Sequence, residues 1–491
     1  MKIVSIRVNN FKSLFGEHTI NIGDSNIVCF VGENNTGKTT IFSAIDFLIN
    51  GVVKEKTIQD YKTNFNENLD VEVEITLQGN IIDIIEGFEQ EKYKDYIFYD
   101  GNNTETIRLR RSSKKQVIQQ GKKNVELDES KITAFNPKNN QFENTTGFDK
   151  AIGAILETQF IWSEMSASDV IDFSSTKILG KLLKGSSEKF KESEEWRNFQ
   201  KAHNEAFISG PNAFNTQAKP LVDDIQRSLR DFYGKVSLEL KFDIPDAQSF
   251  TKLGSVFVDD GVNTIISEKG SGMQRALALS IIKVYSDILS KHKVDKSLQK
   301  PIFFFIDEPE ISLHPKAQAT LISALKEISK YQQIFITTHS PHFLQEFGMD
   351  NLVYIVSKEN TNTIIKEVET MNTFSFSPTL AEVNYFAYQI CTTDFHNELY
   401  GYIESKLIKN KFTIYEWVTD NFHNIKKDKV WIKQKKDGSQ ENKDVTKMVY
   451  IRHCIHHPEN TLNIKFTPEE LESSIKEMLS IIKSEQFKNL S

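Results

Sequence analysis

Cysteine is scarce in this 491-residue chain: Cys29, Cys391 and Cys454 stand far apart. They supply neither a C-x-x-C metal spacing nor the closely spaced set of a disulfide framework, which suits a reducing compartment. Positive charge is in short supply too. With 60 Lys and Arg against 67 Asp and Glu, the formal net charge is −7, so a polyanion has to be met by a local patch, not by the overall field. Long apolar runs are missing. Stretches such as Ile302–Ile306 are among the longest, far below the about 20 residues a membrane helix needs. The first residues, Met1-Lys2-Ile3-Val4-Ser5-Ile6-Arg7-Val8, alternate like a strand and lack the apolar core of a signal peptide. These absences point away from secreted and membrane-spanning classes, and a cytoplasmic protein is expected. Hydrophobic content of 39% and charged content of 26% are ordinary for a globular chain. The length predicts roughly two to four domains.

What the chain does contain is a complete G-x-x-x-x-G-K-[ST] loop, Gly32-Glu33-Asn34-Asn35-Thr36-Gly37-Lys38-Thr39, continued by Thr40. An apolar strand, Ile27–Val31, runs into it and a helical stretch, Thr40–Leu48, leaves it. That context makes the loop a phosphate cradle, with backbone amides at a helix N-terminus turned toward an anion. Lys38 is expected against the β- and γ-phosphates, and the Thr39 hydroxyl on Mg²⁺. A second apolar run, Ile302–Ile306, ends in Asp307-Glu308-Pro309-Glu310. Acids at the carboxyl end of a buried strand lie where open α/β sheets bind ligands. Asp307 is expected to hold Mg²⁺ through its water shell and Glu308 to polarise the attacking water. A third run, Gln333–Thr338, ends in His339-Ser340-Pro341, which places His339 as a γ-phosphate sensor. Finally, Gly270-Ser271-Gly272-Met273-Gln274 opens a long amphipathic helix, and Ser271 and Gly272 form a second anion-binding helix start.

Together these four motifs resemble the ABC-type ATPase head of the SMC, RecF and OLD families over roughly residues 1–370. The resemblance implies two heads sandwiching two ATP molecules, each Gly270–Gln274 signature loop capping the nucleotide of the other protomer. It also implies that Ile311–Pro315 is the loop after the acidic pair, and that Gln159 stands in for the family's glutamine loop. Phe11 and Lys12 are the candidates for adenine contacts. Gly32, Asn35, Gly37, Lys38, Thr39, Thr40, Gln159, Ser271 and Gly272 are thus the expected nucleotide ligands, and Thr39 and Asp307 the metal ligands. The heptads of a long coiled coil are lacking, and so is a Glu followed by D-x-D after His339, the mark of the TOPRIM nuclease that OLD proteins carry. The expected fold is α/β: a P-loop head over 1–380 with an antiparallel β lobe, a polar inserted arm at about 79–144 and a helical insertion at about 166–235. A C-terminal all-α domain is expected over 381–491.

In that C-terminal segment, Lys406–Lys447 is rich in lysine and interrupted by Trp417 and Trp431. Thr467-Pro468-Glu469-Glu470 reads as a capped helix start. Arg452-His453-Cys454-Ile455-His456-His457 resembles the R-x4–6-H motif of HEPN ribonucleases, which cut RNA without metal through the ribose 2′-hydroxyl. The resemblance implies that Arg452 steadies the scissile phosphate and His457 moves the proton, with His456 as the other candidate base. A head joined to such a domain resembles prokaryotic anti-phage ATPases of the Septu, PARIS and anticodon-nuclease kind. Three functions stay open: an ATPase gating its own RNA cleavage, an ATPase docking a separate nuclease subunit, and a RecF-like DNA repair ATPase. The expected partners are a second copy of the chain, in a dimer or higher oligomer, and RNA or DNA.

Overall fold

The computed structural model describes residues 1–87, 91–120, 123–144, 147–163, 178–244, 246–251, 254–291, 301–311, 313–347, 351–368, 373–374, 379–435 and 438–490. The chain divides into two compact units. The first is Met1–Phe160, Val294–Glu310 and Gln332–Ser491; the second is Ile161–Lys293 and Ile311–Tyr331.

Two sheets build the nucleotide-facing part of the first unit. The antiparallel sheet contains β1 (Lys2–Phe11), β2 (Leu14–Asn21), β4 (Glu72–Gln78), β5 (Phe98–Tyr99), β6 (Glu105–Ser112), β9 (Thr133–Asn136) and β10 (Gln141–Glu143). Their order is β10-β9-β6-β4-β1-β2, with β5 on β6. Strict alternation from Val4 fails, because the register shifts between Ile3 and Ser5. That bulge turns Ile3, Ile6 and Val8 inward instead. Residues 79–144 do not stand apart as an arm. Strand β6 pairs with β4 from Glu72↔Ser112 to Gln78↔Thr106, burying Ile107 and Leu109. The polar residues of this stretch are the sheet's other face, where Arg108 meets Glu74 at 2.6 Å and Arg110 meets Glu72 at 3.2 Å. A half-buried sheet alternates in this way. Strands β7 (Gln116–Gln120) and β8 (Lys123–Leu127) form a separate hairpin.

The core sheet runs β11 (Glu157–Ile161), β14 (Ile302–Asp307), β15 (Gln333–Thr338), β3 (Ile27–Val31), β16 (Leu352–Glu359), β17 (Asn362–Glu367). Strands β14, β15, β3 and β16 are parallel neighbours, and β17 returns antiparallel. Strands β3, β14 and β15 are buried along their whole length, which is why they read as unbroken apolar runs. Gln333 ties the two sheets together: its side chain accepts from Ile3 N–H at 2.9 Å and donates to Ile3 O and Ser25 O, each at 2.9 Å.

The second unit carries the helices Ile178–Lys191, Glu194–Asn204, Phe214–Tyr233, Ser271–Lys291 and Pro315–Ser329, and the hairpin β12 (Phe257–Asp259) and β13 (Asn263–Ile265). Most of the expected helical insertion is therefore helical; residues 164–177 lie outside the described residues.

The C-terminal segment has its own apolar core, running from Phe374 and Phe395 through Trp417 and Trp431 to Met478 and Phe487. Five helices, Leu380–Tyr388, Thr393–Lys409, Ile414–Asn421, Lys447–His456 and Pro468–Lys483, build it together with a short last turn. The expectation of an all-α segment needs one correction: β18 (Lys429–Gln434) and β19 (Gln440–Val445) form a hairpin. Lysines on its exposed positions hid the strands, while buried Trp431 anchors it to the helices. The capped start is as expected: Thr467 Oγ1 accepts from Glu470 N–H, and the Glu470 carboxylate accepts from Thr467 N–H at 3.1 Å. Among the described residues, no helix is long and apolar enough to cross a membrane.

Candidate nucleotide-binding site

Parallel register brings three strand ends together. Asp307 stands beside Thr337 across β14–β15, and Thr338 stands beside Val31 across β15–β3. The phosphate loop, the acidic pair and the histidine therefore leave the sheet at one edge, the carboxyl end where such sheets bind ligands.

The loop's glycines are demanded by its path. Gly32 has φ +152°, and a Cβ there would lie 2.1 Å from Val356 O. Gly37 has φ +104°, and its Cβ would meet Thr363 Oγ1 at 2.5 Å and Ser13 Oγ at 2.8 Å. Asn35 takes the left-handed conformation that Asn tolerates, at φ +63°. Helix Lys38–Asn50 begins at Gly37 with no side-chain cap on its first amides, which leaves that end for an anion. Thr363 holds the loop, its hydroxyl donating to Thr36 O at 2.8 Å and lying 2.9 Å from Ser13 Oγ. Ser13 in turn donates to Thr40 Oγ1 at 3.3 Å.

Lys38 is 4% exposed and folds back on its own loop, donating to Gly32 O at 3.0 Å and Glu33 O at 2.8 Å. Burial lowers its pKa, and the carboxylates of Glu308, Asp307 and Glu310 oppose that shift. Thr39 Oγ1 donates to Asp307 Oδ1 at 3.0 Å, and Thr337 Oγ1 donates to the same oxygen at 2.5 Å. A hydroxyl and a carboxylate at this distance are a hard, all-oxygen pair of the kind Mg²⁺ takes with phosphates and water. Among the described residues, no group of three or more His, Cys, Asp or Glu could hold a metal ion.

Glu308 occupies the left-handed region at φ +46°, an uncommon conformation for a residue with a long side chain. Its N–H is held by Thr337, with the carbonyl and the hydroxyl each at 3.0 Å. The carboxylate lies 3.9 Å from Lys38 Nζ and 3.5 Å from His339 Nδ1. Sequence reasoning gave Glu310 no role, yet it joins the acidic turn to the histidine turn. Its Oε1 accepts from Thr338 Oγ1 at 2.5 Å and from His339 N–H at 3.2 Å, and burial pushes its pKa up. Thr337 is the other residue missed. Both were hidden because their roles depend on the β14–β15 register.

Other expected residues fall elsewhere. Gln159 lies within strand β11, donating to Glu157 Oε1 at 2.5 Å, and not in a loop. Phe11 is fully buried against Phe47 and Tyr61, so it is core and not an adenine platform; Lys12 lies over the Phe11 and Tyr61 rings. In the second unit, Ser271 opens its helix as expected, with Gln274 donating to Lys269 O at 2.7 Å. In the C-terminal segment, Arg452 Nη1 donates to Asn397 Oδ1 at 2.7 Å and lies over the Tyr400 ring. His457 is held by different groups: Nδ1 is 3.2 Å from Glu459 Oε1, and its ring is 6.2 Å from that of Trp431. His453 Nε2 is 3.1 Å from Tyr415 OH, and burial lowers its pKa to about 4.

Three curated relatives share parts of this chain. The Old nuclease of Escherichia phage P2 is 26% identical over 379 residues, covering 75% of this chain and 61% of that protein. Endonuclease GajA of Bacillus cereus is 33% identical over 26% of this chain and 20% of its own length. The Septu protein PtuA of Bacillus thuringiensis is 35% identical over 13% of this chain and 16% of its own. The chain thus spans less than two thirds of each relative's length. A family model described as an AAA ATPase domain matches residues 1–344, a span that includes the phosphate loop, the Ser271 helix, the acidic pair and His339, and the chain belongs to that ATPase family.

Proposed function

We propose that this protein is a Mg-ATP-dependent switch of a prokaryotic anti-phage defence system, in which the nucleotide state of the head controls a nuclease. The observation that carries the reading is the meeting of Lys38, Thr39, Asp307, Glu308 and His339 at one sheet edge, with Glu308 within 4 Å of both Lys38 and His339. The likeness to proteins named Old nuclease and endonuclease GajA supports the nuclease connection.

Incoming phosphates replace the loop carbonyls as the partners of Lys38, because a triphosphate offers the buried ammonium a full counter-charge. Thr39 and Asp307 would hold Mg²⁺, which would neutralise the phosphate oxygens. Glu308 orients and polarises a water for in-line attack, its direction fixed by the two bonds from Thr337 to its N–H. His339 senses the γ-phosphate, and Glu310 ties its backbone to the acidic turn. Ser271 and Gly272 cap the nucleotide of a second copy, so the working unit is a dimer or larger. The effector is the C-terminal segment itself. Arg452 steadies the scissile phosphate while His457 takes the 2′-hydroxyl proton as that oxygen bonds to phosphorus, and returns it to the 5′-oxygen as the P–O5′ bond breaks, leaving a 2′,3′-cyclic phosphate and a 5′-hydroxyl. The half-exposed imidazole of His457 favours this reading. The competing reading is a dock for a separate nuclease. RNA cleavage by the purified protein, with and without ATP, decides between them. Cleavage lost in Arg452→Ala/His457→Ala with ATP turnover intact is expected; cleavage that survives the double substitution overturns the ribonuclease assignment.

A further inference from the structure

We propose that the cleft between the β18–β19 hairpin and helix Lys447–His456 binds a nucleotide unit of single-stranded RNA. The proposal rests on the reading that the C-terminal segment acts on RNA, and it assigns the grip to residues other than Arg452. The cleft has a volume of about 580 Å³ and is lined by Tyr415, Trp431, Lys433, Lys443, His453 and His457, among others. That is the size range of small-molecule and cofactor sites.

Strand register explains how these side chains converge. Trp431 pairs with Lys443, and Lys433 with Glu441. Residues two apart on one strand, and those opposite them, share a face, so one face of the hairpin carries Trp431 and both lysines. Asn460 and Asn463 fix the hairpin by binding Ile432, accepting its N–H at 2.8 Å and donating to its carbonyl, each at 2.9 Å. The grip is therefore built on a held frame.

The lining carries three lysines, Lys433, Lys435 and Lys443, against two acids, Glu441 and Glu459, a small positive excess where the chain as a whole is acidic. Lys435 is committed to Glu441 at 3.3 Å. Lys433 makes no ion pair among the described residues, and Lys443 lies over the Tyr415 ring at 4.2 Å. Two exposed ammonium groups are thus available to a phosphodiester. The remaining wall is aromatic: the His453 ring is 5.1 Å from that of Trp431, and His457 is 6.2 Å from both. Burial lowers the pKa of His453, so that ring offers a face and hydrogen bonds in place of further charge. An acidic peptide would need the lysines alone. A base with its phosphate uses both features, and only an unstacked base can enter such a recess.

The test is fluorescence anisotropy of the full chain with a labelled single-stranded 2′-O-methyl RNA, which lacks the attacking hydroxyl. Binding should weaken roughly tenfold or more in Lys433→Glu/Lys443→Glu, with the salt slope falling by about two. Tyr415→Ala should cost roughly fivefold or more with the slope unchanged. Both lysines are exposed, so an unchanged melting temperature verifies the fold. Equal affinity of the double variant and the parent overturns the proposal, as does tighter binding of duplex RNA or of polyglutamate. Cleavage of unmodified RNA by the parent chain is assayed separately: its absence with binding retained counts against the ribonuclease reading alone, and absence of binding overturns this proposal.

Discussion

At the residue scale, the buried ammonium of Lys38 is the part of the site that nothing else can replace. Lys38→Ala should abolish ATP binding, measured by titration with a fluorescent ATP analogue; retained affinity would contradict the geometry. Glu308→Gln should keep binding and lose about 10²–10⁴-fold in turnover, read by phosphate release. Gly37→Ala places a methyl 2.5 Å from Thr363 Oγ1 in a left-handed backbone, so it should cost about 1–3 kcal/mol and nucleotide affinity as well. These residues were legible because the phosphate loop is contiguous and its spacing is set by the anion. Glu310, Thr337 and Thr363 were not. Each acts across a strand pair or from a strand hundreds of residues away, and no local spacing marks such a meeting.

At the element scale, strands buried on both faces announced themselves, as β3, β14 and β15 did. The half-exposed strands β18 and β19 did not, because their outward residues are charged. Where a polar stretch hides a strand, the buried partner is the signal: Trp431 in β18. The helix Pro468–Lys483 shows the opposite case, since capping chemistry is local and survives in sequence. Thr467→Ala should cost about 1 kcal/mol in denaturant unfolding, and a neutral result would mean that the capping box carries no stability.

At the scale of the whole molecule, acid should loosen the C-terminal core. His396 is fully buried beside Ser474, and burial together with Arg452 lowers its pKa to about 3. His453 sits at about 4. Both stay neutral when folded and take a proton near pH 6.5 when unfolded. Their cost is absent above that pH and grows as pH falls toward 4, by at most about 1.4 kcal/mol per pH unit for each histidine. Melting temperatures should fall over this window, and less steeply in His396→Gln. Glu308 has a different reach. A left-handed backbone suits Gly or Asn better than Glu, so either replacement should raise the melting temperature while ending turnover. Screening a library for heat tolerance alone would discard the glutamate, and its persistence under such a screen would show that the turn bears no tension.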